Sequence, residues 1–211
     1  MNTDKLIATL AADRTMEPAP PRMLAAAALG GSAITALLFF ALIHPRPDFM
    51  IAMHTWRFIA KFVLALTLAV SASALVLRAG RPDSARGRVD TVLLAAPLLL
   101  AAAIAVEVLA MPAASWGPRL VGHNAMVCLV YIPLLSLAPL AALLFALRHA
   151  AVTEPVRAGA LAGLMAGGLG ALFYAAHCFD DSPLFVAVWY TLGITFVTAA
   201  GAWLGRHVLA W

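Results

Sequence analysis

The residues of this sequence best suited to chemistry are its two cysteines, Cys128 and Cys178, whose thiols could form a disulfide or bind a soft metal ion. Cys128 lies 20 residues before Arg148, and Cys178 lies 21 residues after Arg157. In two antiparallel helices that rise about 1.5 Å per residue, both thiols then lie about 30 Å from the loop between Arg148 and Arg157. The spacing therefore predicts that the two thiols share one level.

Glycines in the second of these helices provide a face for close packing. Gly159, Gly163 and Gly167 recur every four residues, which allows a neighbouring helix to approach closely. Cys178 follows Gly167 by 11 residues, so its side chain points within about 20° of that face. If the neighbour is the helix that carries Cys128, the thiols can reach disulfide distance. Another interpretation, in which the cysteines are only small buried apolar residues, stays open.

Polar residues near Cys178 indicate a second chemistry, the capture of a metal ion. Thiolates and imidazoles suit thiophilic metals, although the sequence lacks a closed ligand spacing such as paired CxxC motifs. The acids have another interpretation, because Ser182 can cap the next helix and aspartates favour its N-terminus. The candidate ligands are His177, Asp180, Asp181 and His123. No cofactor is predicted beyond a transient heavy-metal ion at Cys128 and Cys178.

Few other residues in the apolar stretches can take part in a mechanism. Pro133 removes a backbone hydrogen bond to the carbonyl of Leu129, which predicts a hinge just beyond Cys128. Lys61 and Glu107 are expected at the outer level, where they form an interfacial ion pair or Lys61 extends outward alone. No ionisable group is expected near the bilayer centre, which argues against a charge-coupled transporter.

The elements that position these residues follow from an unusually apolar composition. Hydrophobic residues make up 64% of the 211 residues and charged residues 11%, against about 45–50% and about 25% in ordinary globular chains. A chain of this length cannot bury so much apolar surface in a core of its own, so lipid must be its main solvent. This composition excludes a soluble enzyme, a disordered regulator and, despite a net charge of +4, a nucleic-acid-binding domain.

Six stretches are long and apolar enough to cross a bilayer as helices, since about 20 apolar residues suffice. Turn residues separate them, and the period-2 alternation of a transmembrane β-barrel is absent. We therefore predict an all-α, polytopic membrane protein built as a six-helix transmembrane bundle. The predicted spans are residues 23–43, 58–77, 91–111, 125–147, 158–178 and 184–205.

Basic residues are distributed unevenly among the loops. With the N-terminus in the cytoplasm, ten lysines and arginines fall on the cytoplasmic side and four on the other, which accounts for all fourteen. Because positive charge favours the cytoplasmic side, both termini are predicted to lie there. The predicted organisation is an N-terminal segment (1–22), a six-helix transmembrane domain (23–205) and a short C-terminal tail (206–211).

The N-terminal segment has a pattern typical of partner binding. Residues 4–12 predict a short helix with Leu6, Ile7 and Leu10 on one face, followed by a stiff proline-rich tether. A helix of about nine residues is not stable alone in water. Its apolar face must therefore rest on a membrane surface, on loops of the same chain or in the groove of a partner, unless the segment is a frayed tail.

Taken together, these residues resemble the NrsF family of six-span anti-sigma factors. The similarity extends over essentially the whole chain, and its most specific part is the block from Tyr174 to Tyr190. Phe179 departs from the pattern, because the resemblance implies a smaller residue or a proline after the cysteine. The residues that carry the resemblance are 2–7, Leu10, Ala11, 46–49, Phe58, Lys61, Cys128, the glycine-rich helix 158–168, 174–182, Phe185, Trp189, Tyr190 and Trp211.

The resemblance implies a regulator and not an enzyme. It implies a multi-pass protein of the bacterial inner membrane that sequesters an extracytoplasmic-function (ECF) sigma factor and does not contact nucleic acid directly. It also implies that Cys128 and Cys178 sense oxidants or heavy metals. We expect Leu6, Ile7 and Leu10 to dock on the sigma factor, with the basic loop 78–90 as the next candidate. The alternatives are a thiol-disulfide or quinone oxidoreductase and a small-solute transporter, and the oligomeric state is not indicated.

Overall fold

The computed structural model describes residues 21–81 and 88–210, together with Thr3 and Lys5, which are helical. Within these residues the chain forms helices and no strand, which confirms the all-α prediction. Six of the helices are long and apolar enough to cross a membrane. They are α1 (Pro21–Ile43), α2 (Trp56–Ala79), α3 (Asp90–Ala110), α4 (Ala125–Leu147), α5 (Pro155–Ala175) and α6 (Pro183–Val208).

The helix bounds agree closely with the predicted spans except at α5. This helix begins at Pro155, whose fixed φ suits the first turn of a helix, and it ends at Ala175. The amides of His177 and Cys178 both bond to the carbonyl of Tyr174, which closes the last turn. Cys178 therefore lies in the loop after α5, and the prediction that it ends the helix itself is wrong.

The helix α5 is the centre of the bundle. Of its most apolar stretch, 72% is buried within the protein, a larger share than in any of the other five long helices. It packs against α6, α2 and α4. Small residues permit this, because a Cβ added at Gly168 would lie 3.0 Å from the backbone of Ala69 in α2, and one at Gly170 would lie 2.8 Å from the Ile132 carbonyl in α4.

The glycine stripe of α5 faces α6 and not the helix that carries Cys128. A Cβ at Gly163 would lie 2.6 Å from the carbonyl oxygen of Val197, and one at Gly205 would lie 2.8 Å from the Cα of Gly159. The reason is that α6 has small residues of its own at matching four-residue spacing, Gly201 and Gly205, so these two backbones can approach most closely. Gly167 completes the stripe against Ile194.

The helix α4 runs without interruption through two prolines, Pro133 and Pro139. Pro139 marks the place where α1 meets α4. A Cβ at Gly31 would lie 2.6 Å from the Cα of Pro139, so glycine is needed there for the two backbones to touch. A hinge at Pro133 stays a prediction.

Candidate functional site

The two cysteines lie together at one end of the bundle. Both thiols are free and fully buried. Cys128 is in the first turn of α4, where its amide bonds to the Asn124 carbonyl at 2.9 Å, and Cys178 lies in the loop after α5. They share one buried cluster with the aromatic side chains of Tyr174, Phe185 and Tyr190. The arrangement places two thiols from different elements in one pocket of the core.

The backbone at Cys178 is held by two cations from distant parts of the chain. The ammonium Nζ of Lys61 in α2 donates to the Cys178 carbonyl oxygen at 2.7 Å, and the Arg46 guanidinium donates to the same oxygen at 3.3 Å. Both cations also pair with the carboxylate of Asp181, at 2.5 Å and 3.0 Å respectively. Lys61 is 1% exposed, so its charge acts in a poorly solvated region where electrostatic interactions are strong.

The predicted pair between Lys61 and Glu107 is wrong. The fully buried Glu107 instead accepts from Arg57 at 2.7 Å and from Arg119 at 2.9 Å. Arg57 lies one turn before Lys61 on α2 and reaches α3, whereas Lys61 is directed toward Asp181 in the loop. A buried carboxylate requires such partners, and the two arginines supply them.

Asp180 connects the loop of Cys178 to the start of α4. Its carboxylate accepts from the backbone amides of His123 at 3.0 Å and Asn124 at 2.8 Å, which lie just before the first turn of α4. Gly122 makes this approach possible: its φ is 60°, and an added Cβ would overlap the ring of Phe185. The expectation that Asp180 stabilises the N-terminus of α6 is therefore wrong, because its carboxylate accepts hydrogen bonds from amides at the start of α4.

Ser182 caps α6 as the sequence predicts. Its side-chain oxygen accepts from the amide of Leu184 at 3.3 Å, and Pro183 occupies the first turn. The same hydroxyl donates to Glu107 at 3.4 Å. The loop 176–182 is thus attached to α2, α3, α4 and α6 by side chains within seven residues.

The candidate metal ligands mostly serve these structural contacts. Asp181 is paired with two cations and Asp180 accepts backbone amides, as described above. His177 contacts the His44 carbonyl through Nδ1 at 2.9 Å, and the side chain of His123 is 96% exposed. Among the residues that the structure describes, no three His, Cys, Asp or Glu side chains converge on one point. A heavy-metal site stays a prediction.

The electrostatic surroundings favour charge at the rim of the site. A hydrogen bond from Arg46 lowers the pKa of the Asp48 carboxyl below its usual value. The pKa of the Cys178 thiol is also lowered, first by a hydrogen bond from the Cys128 thiol and further by the charge of Lys61, although burial opposes the shift. A thiol of this kind is more readily ionised, and the thiolate is the reactive form of cysteine.

Several residues of the site were not assigned a role from the sequence. They are Arg46, which also lies over the ring of Phe179 at 4.7 Å, and the buried tyrosines Tyr174 and Tyr190. All three residues are among those that carry the family resemblance, which was the available indication of a role. No spacing rule could show that they meet, because Arg46 lies more than 100 residues before the two tyrosines. The ring of Phe179 is half exposed and supports the guanidinium, which gives this departure from the pattern a structural role.

The opposite end of the bundle carries the described part of the basic loop. Leu6, Ile7 and Leu10 lie outside the described residues, as do residues 82–87 of the loop 78–90. Its described end is anchored, because Asp90 pairs with Arg157 of α5 at 2.8 Å. That ion pair lies at the end of α5 away from Cys178, so basic loop and thiols are on opposite sides of the bundle.

Comparison with known proteins settles the relationship. A family model described as "Negative regulator of sigma F" matches residues 10–211. This chain belongs to the NrsF family. A relative from Caulobacter vibrioides named "Anti-sigma-F factor NrsF" is 36% identical over 216 residues, and one from Azospira oryzae named "Probable anti-sigma-F factor NrsF" is 32% identical over 213 residues. Both alignments cover all of each chain.

The NrsF relationship bears on the choice between a regulator and an enzyme. Both relatives carry the names of regulators. Membership of the family therefore supports the prediction that the chain is not an enzyme and speaks against the oxidoreductase alternative. No solved structure matches the chain.

Proposed function

We propose that this chain is an anti-sigma factor of the bacterial inner membrane that holds an ECF sigma factor and releases it when Cys128 and Cys178 are oxidised or bind a heavy metal. Full-length similarity to two proteins named anti-sigma-F factors supports the regulatory role. The observation that carries the trigger is a buried pair of free thiols, Cys128 in α4 and Cys178 in a loop that is attached to four helices.

The surface of the bundle supports insertion into a lipid bilayer. Large apolar side chains are exposed along the long helices, including Leu109 at 88% exposure, Leu37 and Phe196. In water so many exposed apolar side chains would cause aggregation, whereas lipid solvates them. The excess of basic residues on one side favours the orientation with both termini in the cytoplasm and the thiols outside. An exterior compartment in bacteria is oxidising, which suits a thiol sensor.

The cytoplasmic partner site is proposed to be the N-terminal segment. The sequence pattern predicts a short helix with Leu6, Ile7 and Leu10 on one face, and such faces bind in apolar grooves of partner proteins. The sigma factor is the partner, and no direct contact with nucleic acid is required. The loop 78–90 lies on the same side and is the second candidate for this contact.

Release follows from a change in the loop of Cys178. A bond between the two sulfurs, or a metal ion between them, fixes Cys178 to α4 and alters a loop that also positions Lys61 of α2 and Asn124 before α4. A signal shifts the equilibrium only by its differential affinity for the bound and released states. A tenfold lower affinity for the sigma factor corresponds to a coupling free energy of about 1.4 kcal/mol, which one thiol modification can supply.

Co-purification of the sigma factor tests this function. The amount of sigma factor that co-purifies with membranes containing the wild-type chain should fall at least tenfold after treatment with hydrogen peroxide or cadmium. The double variant Cys128→Ser with Cys178→Ser should bind it without change. A Leu6→Asp with Leu10→Asp variant is the control for the partner site and should lack sigma factor before treatment. An undiminished response in the double serine variant contradicts the proposal.

A further inference from the structure

The two thiols have unlike surroundings although they share one cluster. Cys178 is flanked by the ammonium of Lys61 and the guanidinium of Arg46, both on its own carbonyl oxygen. Cys128 lies one turn inside α4, whose next buried residues toward the bundle centre are Ile132 and Leu135. A positive charge stabilises a nearby thiolate, while an apolar setting favours the neutral thiol. The geometry thus distinguishes a polar sulfur from an apolar one.

Two buried hydroxyls face the thiols and have no other polar partner. Within the part of the chain that the structure describes, the side-chain oxygens of Tyr174 and Tyr190 make no hydrogen bond to an oxygen or nitrogen atom. Both tyrosines interact electrostatically with both cysteines, and both are at most 2% exposed. A buried donor without an acceptor is costly and calls for an explanation. A thiolate at Cys178 is a stronger acceptor for these two hydroxyls than a neutral thiol.

We propose that Cys178 is the thiol that reacts first with an oxidant, that Cys128 resolves the product, and that Lys61, Tyr174 and Tyr190 are positioning residues for the Cys178 thiolate. The inference rests on the proposed function in taking oxidation as the trigger, and it adds the order of reaction and the groups that set it. Its oxidant is a peroxide, with hydrogen peroxide as the simplest member.

The reaction proceeds in two balanced steps. The Cys178 thiolate attacks one oxygen of hydrogen peroxide; a sulfur–oxygen bond forms, the oxygen–oxygen bond breaks, and the departing hydroxide takes up a proton to become water. The sulfur of Cys128 then attacks the Cys178 sulfenic acid, so that a disulfide forms, the sulfur–oxygen bond breaks and a second water leaves with the Cys128 proton. The thiols lose two electrons, which the peroxide gains.

The order of reaction is tested with purified full-length protein in detergent. Hydrogen peroxide is added to the Cys128→Ser and Cys178→Ser variants, and sulfenic acid is trapped with dimedone and measured by mass spectrometry. We expect trapping at Cys178 in the first variant to be at least tenfold faster than trapping at Cys128 in the second. Equal rates, or faster trapping at Cys128, overturn the proposal.

The role of Lys61 is tested by the pH at which Cys178 becomes reactive. In the Cys128→Ser background, the rate of alkylation by iodoacetamide is measured against pH for Lys61→Met and Lys61→Arg. Removing the cation destabilises the thiolate. The pH at which alkylation of Cys178 is half-maximal (the midpoint) should therefore rise in Lys61→Met and return toward the original value in Lys61→Arg. The groups that face Cys178 and could also titrate or add charge are Arg46, Asp180, Asp181, Tyr174 and Tyr190.

Matched variants separate this role from general damage to the fold. Arg148→Met removes an exposed cation at the far end of α4, away from both cysteines, and it should leave the midpoint unchanged. Tyr190→Phe removes only a buried hydroxyl that faces Cys178, and it should raise the midpoint without loss of folded protein. An unchanged midpoint in both Lys61→Met and Tyr190→Phe contradicts the assignment. Since no sigma factor is present, this failure is distinct from failure of the release test.

Discussion

At the scale of single residues, the site depends on charges shared between elements that are far apart in sequence. Asp181 is paired with Lys61 and Arg46, and Glu107 with Arg57 and Arg119. A buried carboxylate with two cationic partners is stable only while both partners are present. These two clusters therefore hold the loop around the thiols in one arrangement.

Replacing Glu107 tests the strength of the second cluster. Glu107→Ala leaves two arginines without their carboxylate and should lower the free energy of unfolding by about 2 kcal/mol, less than a fully buried pair would lose, because both arginines are partly exposed. The thermal unfolding midpoint in detergent measures this loss. Glu154→Ala is the control, since its pair with Arg157 is solvent-exposed and should change stability by less than about 0.5 kcal/mol. Equal midpoints for the two variants would count against the cluster.

The sequence predicted the positions of the two thiols more accurately than the ion pairs around them. The spacing of Cys128 and Cys178 from their shared loop indicated a common level, because helical rise is regular enough for such counting. Lys61 was placed at the correct end of the bundle but assigned to Glu107. Ion-pair partners depend on which side chain the loop 176–182 presents, and loop conformation is not encoded in a periodic pattern.

At the scale of helices, small residues determine which neighbours meet. The four-residue glycine spacing identified a packing face on α5 correctly, but one sequence alone could not show that α6 would occupy it. The neighbour is α6 because Gly201 and Gly205 have the same four-residue spacing as the glycines of α5. The number and approximate bounds of the long helices were predictable because a helix that can cross a bilayer needs a minimum length of apolar sequence, and prolines mark helix ends. The predicted end of α5 was three residues too late, at Cys178 and not at Ala175, because composition defines helix ends poorly.

A pair of glycine substitutions tests the contact between α5 and α6. Gly159→Val adds atoms where a Cβ already overlaps the Gly201 backbone, so it should destabilise the protein by about 2 kcal/mol or more. Gly30→Ala is the matched control on α1, since a Cβ there has no neighbour within 4 Å. It should be neutral or stabilise by up to about 1 kcal/mol through helix propensity. Thermal unfolding in detergent distinguishes the two, and similar midpoints would contradict this packing.

At the scale of the whole molecule, the bundle separates the thiols from the described end of the basic loop 78–90. The central helix α5 has Cys178 beyond one end and the Arg157–Asp90 pair at the other. The loop of Cys178 is attached to α2, α3, α4 and α6, so a change at the thiols acts on several helices together. In the proposed function these two ends face opposite compartments, with the thiols outside.

The most direct test of that claim is the sidedness of the two ends of α4. Single cysteines are introduced by His123→Cys and Arg148→Cys, both at exposed positions, in a background with Cys128→Ser and Cys178→Ser. Whole cells are treated with a membrane-impermeant maleimide before and after permeabilisation. We expect labelling at position 123 in intact cells and at position 148 only after permeabilisation. The reverse pattern would place the thiols in the cytoplasm and contradict the proposed sensor.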